Sequence, residues 1–194
     1  MIFIKKRYYI FLMCVALILG ASNALAVDDG LSFDKKIEGK YVIVYYPAGL
    51  DAARLVQQLN IHPSDKISVG ESLNAKNSYE EELVQMLDTL FLQVSDILEM
   101  HMYSFKINIK IFKNDTELSD IYRRLFNSSL GGRASFYSYD LNSVYVSEDV
   151  FKPEIIGHEM AHAIICHYFP TPVPIKIQEL LAMYTEYSLR RTEK

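Results

Sequence analysis

Residues 143–191 read SVYVSEDVFKPEIIGHEMAHAIICHYFPTPVPIKIQELLAMYTEYSLRR, and the order of signals in this stretch decides the fold. Ser143 to Ser147 is a short β-branched and aromatic run that predicts a strand. Pro153 suits the first turn of a helix, where its missing N–H is not needed and its fixed φ is already helical. Ile155, Ile156, Met160, Ala161, Ala163, Ile164 and Ile165 then predict a buried helix running to about Phe169. Pro170, Pro172 and Pro174 cannot continue it. A last helix is predicted from about Ile175 to Arg191.

Upstream, Arg133 to Tyr139 reads as a second strand, joined to residues 143–147 through Asp140-Leu141-Asn142 as a hairpin. Gly131-Gly132 marks the turn before it. Lys106 to Phe112 (KINIKIF) alternates strictly, with Ile107, Ile109 and Ile111 on one side and Lys106, Asn108 and Lys110 on the other. That is a half-buried strand. A helix is predicted over Thr116 to Phe126. Ser78 and Glu81 form a capping box that opens the longest helix, with apolar positions from Leu83 to Leu98 at helical spacing. Lys40 to Tyr46 predicts a buried strand and Asp51 to Asn60 a short helix. Residues 27–39 read as a loose lead-in and 63–77 as polar and irregular. Strand, helices, strand, helix, hairpin and two helices make one α+β domain.

Composition narrows the function. The chain has 194 residues, is 50% hydrophobic and carries a formal charge of −4. No basic surplus exists to neutralise phosphates, which argues against nucleic-acid binding. Lys5, Lys6 and Arg7, the uncharged run Tyr8 to Gly20 and Ala24-Leu25-Ala26 have the layout of a secretory signal peptide, with cleavage before Val27. Residues 1–26 are therefore expected to be removed and 27–194 to form the mature domain. Cys14 leaves with the leader, and a single Cys166 rules out an internal disulfide in the mature chain. No membrane span is expected after cleavage. The oligomeric state is not legible.

His158-Glu159-Met160-Ala161-His162 is an H-E-x-x-H motif. On a helix the two histidines lie one turn apart and about 40° around the axis, so both imidazoles project from one face. They can each give a nitrogen to one Zn²⁺. Glu159 stands about 100° from His158, too far round to be a comfortable ligand but able to take a proton from a water on the metal. A catalytic zinc wants three protein ligands and an open position. Three residues compete for the third place. His167 lies about 180° from His158 and reads as a solvent-side or capping histidine. Glu186 shares a face with Glu179 but two turns further on. Glu179, entering just after the proline-rich turn, is the best choice.

His158-Glu159-x-x-His162 followed by Gln178-Glu179-Leu180-Leu181-Ala182-x-Tyr184 resembles the gluzincin, or peptidase-MA-like, zinc metalloproteases. Leu181 stands where a glycine is common. The resemblance covers about residues 132–190, with residues 40–126 fitting by element order. It implies a zincin-like domain: a twisted mixed sheet, a long backing helix, an active-site helix and a glutamate helix. It also implies one Zn²⁺ per chain on His158, His162 and Glu179, with Glu159 as catalytic acid/base. Zincins commonly pair an extended peptide with an edge strand. By that analogy residues 133–139 receive the substrate, and Ala134, Phe136 and Tyr137 line the cleft. Thermolysin-like members have a C-terminal subdomain that supplies an oxyanion donor. Here the expected donor is Tyr184, Tyr187 or a hairpin residue. The implied function is an exported bacterial metallopeptidase, periplasmic or secreted, acting on a peptide or protein. The alternative is an inactive zincin-like binding or scaffold protein of the cell envelope.

Overall fold

The computed structural model describes residues 29–61 and 78–192. The expected signal peptide at 1–26 and the polar stretch at 63–77 lie outside them. Residues from Leu31 onward belong to one compact unit. Among the described residues it holds one mixed sheet of five strands: β1 (Lys35–Glu38), β2 (Val42–Tyr46), β3 (Ile107–Phe112), β4 (Ser135–Ser138) and β5 (Ser143–Ser147). The order across the sheet is β1-β2-β3-β5-β4. The three central strands run parallel, and β1 and β4 close the two edges antiparallel. The helices are α1 (Ala52–Leu59), α2 (Tyr79–Leu98), α3 (Asp115–Phe126), α4 (Pro153–Tyr168) and α5 (Ile175–Thr192). The chain is α+β, as the order of signals predicts.

The alternation read in the sequence sorts the side chains into two layers. Val42, Val44, Ile107, Ile109, Ile111, Val144 and Val146 face a large core shared with α1, α2, α4 and α5. Phe112, Phe136 and Tyr145 face the other way, onto Leu118 of α3. Each fully buried Leu, Ile or Val contributes roughly 1.5–3 kcal/mol. α2 starts where the capping box places it: Ser78 Oγ accepts from Glu81 N at 3.3 Å and Glu81 Oε2 accepts from Ser78 N at 3.2 Å. The hairpin turn is pinned from outside, because Asn142 Nδ2 donates to Lys106 O at 2.8 Å.

The lead-in at 27–39 is a correction. Lys35–Glu38 is an edge strand, paired antiparallel with β2 from Lys35↔Tyr46 to Glu38↔Ile43. Its sequence KKIE has no apolar alternation, and only Ile37 is partly covered. The strand exists because β2 offers an open backbone edge, a tertiary cause that no local pattern announces. Ahead of it, Phe33 packs on Tyr45 and Phe112.

One buried carboxylate ties the sheet to α2. Asp88 Oδ1 accepts from Tyr41 N at 2.7 Å and Val42 N at 3.1 Å, and Oδ2 accepts from Lys40 N at 2.7 Å. The chain wraps so closely that a Cβ on Gly39 would stand 2.5 Å from Asp88 Oδ2. Removing the carboxylate strands three amide donors, each costing about 1–3 kcal/mol when buried. Asp88→Ala is expected to destabilise the protein by about 3 kcal/mol in urea unfolding. A loss below about 1 kcal/mol would contradict this role.

Candidate metal centre

The strand β5 leads through a 3-10 turn (Glu148–Val150) directly into α4, whose first residue is Pro153. Phe151, fully buried, anchors that junction. The proline strap at 170–174 reverses the chain, and α5 returns against α4. Two contacts fix the direction. Cys166 Sγ donates to Gln178 Oε1 at 3.3 Å, and Gly157 meets Leu189. As residue numbers rise on one helix they fall on the other, so the pair is antiparallel. A Cβ on Gly157 would lie 2.3 Å from Leu189 Cδ1 and 3.4 Å from Val94 Cγ2 of α2. The bare backbone at Gly157 lets α5 approach α4 at the turn that carries His158.

This approach brings His158, His162 and Glu179 together. One ligand atom from each lies within 4.8 Å of the other two. His158 Nε2 stands 3.7 Å from Glu179 Oε2, and His162 Nε2 stands 3.7 Å from Glu179 Oε1. These separations exceed hydrogen-bond length, so the three groups do not satisfy one another. Two donors each about 2.1 Å from a tetrahedral ion stand roughly 3.4 Å apart. The three side chains therefore fit a single zinc-sized cation. The imidazoles are tilted by 65° with centroids 5.1 Å apart, as expected one turn apart on a helix.

Glu186 stands where the sequence reading placed it, on the face of Glu179 two turns on, but its neighbour is informative. Its Oε2 lies 3.2 Å from His158 Nδ1. That nitrogen is buried and makes no in-line hydrogen bond, since the carboxylate sits off the N–H axis. Glu186 also pairs with Arg190. A carboxylate on the second nitrogen of a ligating histidine fixes its tautomer and raises its basicity. The signal was the seven-residue spacing from Glu179.

Glu159 is almost fully buried and its Oε1 accepts a 2.8 Å bond from Ser135 Oγ of β4. Burial pushes its carboxyl above the usual carboxylate range, against the opposing pull of Ser135 and His158. Ser135 carried no sequence signal, because its partner is 24 residues away on another element. His167 is exposed on the last turn of α4. Its Nδ1 lies 3.0 Å from Ala163 O and its ring packs on Phe105, outside the cluster.

A cavity of about 700 Å³ opens over His158, Glu159 and His162. Phe136 and Tyr137 of the edge strand line it; Ala134 does not stand among the lining residues. Arg133, the aromatic pair Tyr122 and Phe126 of α3, and the strap at 169–173 form other walls. Burial pushes the Tyr137 hydroxyl well above its ordinary value. Cys166 is half-buried on the cavity wall, and burial pushes its thiol up. Tyr184 and Tyr187 are exposed on α5, at 56% and 59%, and neither lines the cavity. On the hairpin side Arg133 and Tyr137 bring polar groups to the lining, and the Tyr137 hydroxyl lies 3.4 Å from His167 Nδ1. Comparison with protein-family models, curated proteins and solved structures returned no match.

Burial, with the neighbouring His158 next in size, pushes the His162 imidazole below its usual value. The folded chain therefore resists a proton that the unfolded chain takes up near pH 6.5. Stability is fully present above that value and falls as pH drops through it toward the folded pKa. Chelator-treated protein should lose thermal stability as pH falls below about 6.5, and His162→Gln should lose less. Equal slopes in the two proteins would contradict this environment for His162.

Proposed function

We propose that this chain is an exported zinc metallopeptidase of the gluzincin type. The observation that carries the reading is the convergence of His158, His162 and Glu179 on one point in the floor of a cavity that also exposes Glu159. Export rests on the leader-like sequence of residues 1–26. The mixed sheet, the long α2 behind it, α4 and α5 supply the layers that a zincin-like domain requires.

His158, His162 and Glu179 would hold the ion, leaving its remaining position toward the cavity. Zinc held there would polarise the scissile carbonyl and lower the pKa of a water molecule. Glu159 takes the proton of the attacking water and hands it to the leaving amine nitrogen. Its raised pKa brings it nearer the working pH, where both halves of that transfer are favourable. Ser135 holds the carboxylate in place through Oε1. Glu186 orients His158 from behind. An extended peptide fits along β4, whose outer backbone edge is open beside the cavity. Arg133 and Tyr137, both on the cavity lining, are the hairpin candidates for donors to the developing negative oxygen.

The test separates metal from chemistry. Purified protein should carry about one zinc per chain. His158→Ala, His162→Ala and Glu179→Ala should each lose it, whereas His167→Ala should not. Glu186→Gln should weaken zinc by about 10–100-fold. Glu159→Gln should keep zinc while peptide-library cleavage falls by at least ~100-fold. Zinc with no cleavage of any library peptide by the parent protein would favour the inactive binding or scaffold reading. Full zinc on Glu179→Ala would overturn the ligand set.

A further inference from the structure

We propose that the outer face of α5 docks on an anionic phospholipid surface. At 100° per residue the helix divides into sectors. Ala182, Thr185 and Leu189 are buried against the rest of the domain. Glu179 and Glu186 turn toward the histidines. The remaining arc, about 120° wide, carries Ile177, Leu180, Met183, Tyr184 and Tyr187. All five are exposed, Leu180 by 63% and Tyr187 by 59%. Phe169 of the strap, 38% exposed, shares the cavity lining with Met183 and extends the patch.

The charges on this arc have one sign. Lys176 stands at one end and Arg191 at the other, and no acidic residue lies between Met183 and Ile177 around the arc; Arg190, just outside it, pairs with Glu186. The whole chain is acidic, at −4, so this basic rim departs from its surroundings. Apolar and tyrosine side chains flanked by Lys and Arg form the pattern of a helix lying in a membrane interface. The long basic side chains reach the headgroups while the apolar row enters the acyl boundary.

The same charges disfavour a second copy of the chain. Laid antiparallel, Lys176 of one α5 would face Arg191 of the other; laid parallel, each would face itself. A fluid headgroup layer adapts to the convex surface of such a helix. No described helix is long and apolar enough to cross a membrane, so the contact is interfacial. Met183 and Phe169 belong both to this patch and to the cavity lining. Docking therefore sets the mouth of the cavity beside the lipid surface. The inference holds whether or not the cavity is catalytic.

Co-sedimentation of the mature chain with vesicles tests it. Binding is expected to equimolar phosphatidylglycerol and phosphatidylcholine, and to be at least about 10-fold weaker to phosphatidylcholine alone. Leu180→Glu combined with Tyr187→Glu should weaken it by at least about 10-fold, as should Lys176→Glu combined with Arg191→Glu. Tyr103→Ser, at a site 82% exposed on another part of the fold, should leave it unchanged. All these positions are exposed, so unchanged melting curves will show that folding is intact. Three results would each overturn the proposal: no binding to anionic vesicles, equal loss with Tyr103→Ser, or self-association that disappears with Leu180→Glu while vesicles stay unbound.

Discussion

Leu189 of α5 sits against the bare backbone of Gly157 on α4, and the spacing of the two helices follows from that contact. A side chain at Gly157 would meet Leu189 at 2.3 Å and press Val94 of α2 as well. The residue that must be small is the one next to His158. Helix separation and ligand separation are therefore set at the same turn. Farther along, Gln178 bonds Cys166 on one side and the carbonyl of Val173 on the other, locking the strap that reverses the chain. Between these two clamps lie Glu179 and Glu186, each within reach of a histidine.

Burial gives the centre its chemical character. Glu159 and His162 share one desolvated wall, and desolvation moves them in opposite senses, the acid up and the base down. Both shifts favour neutral forms, and a neutral imidazole is the form that binds a cation. The same low-polarity setting makes Ser135 and Glu186 consequential, since buried charged groups need partners. α5 serves all of this with one face and leaves another to solvent. Its buried sector is small and alanine-containing, its site sector acidic, and its outer sector apolar and basic.

Much of this was legible in the sequence, for definite reasons. The strict alternation of Ile107, Ile109 and Ile111 and the capping box at Ser78 are local, and local rules decided them. The motif at 158–162 and the position of Glu179 after the proline strap fixed the three converging side chains. β1 was missed because Lys35–Glu38 has no pattern of its own and is made by its neighbour. Ser135 was missed because the hairpin carries it to Glu159 through the sheet order, which periodicity does not encode. Tyr184 and Tyr187 were named as donors by analogy with a C-terminal subdomain, not from a local pattern; the helix turns both of them outward. Glu186 stands outside the cluster of His158, His162 and Glu179, and its place behind His158 needed the antiparallel packing to appear.

The chemistry proposed for the site requires two imidazoles of α4 and one carboxylate of α5 to hold a single zinc ion. Crystals of the mature protein grown with zinc, measured on both sides of the zinc absorption edge, decide the matter. One strong anomalous peak per chain is expected, within about 2.0–2.2 Å of Nε2 of His158, Nε2 of His162 and an oxygen of Glu179. A peak held by His167, or none at the floor of the cavity, would contradict it.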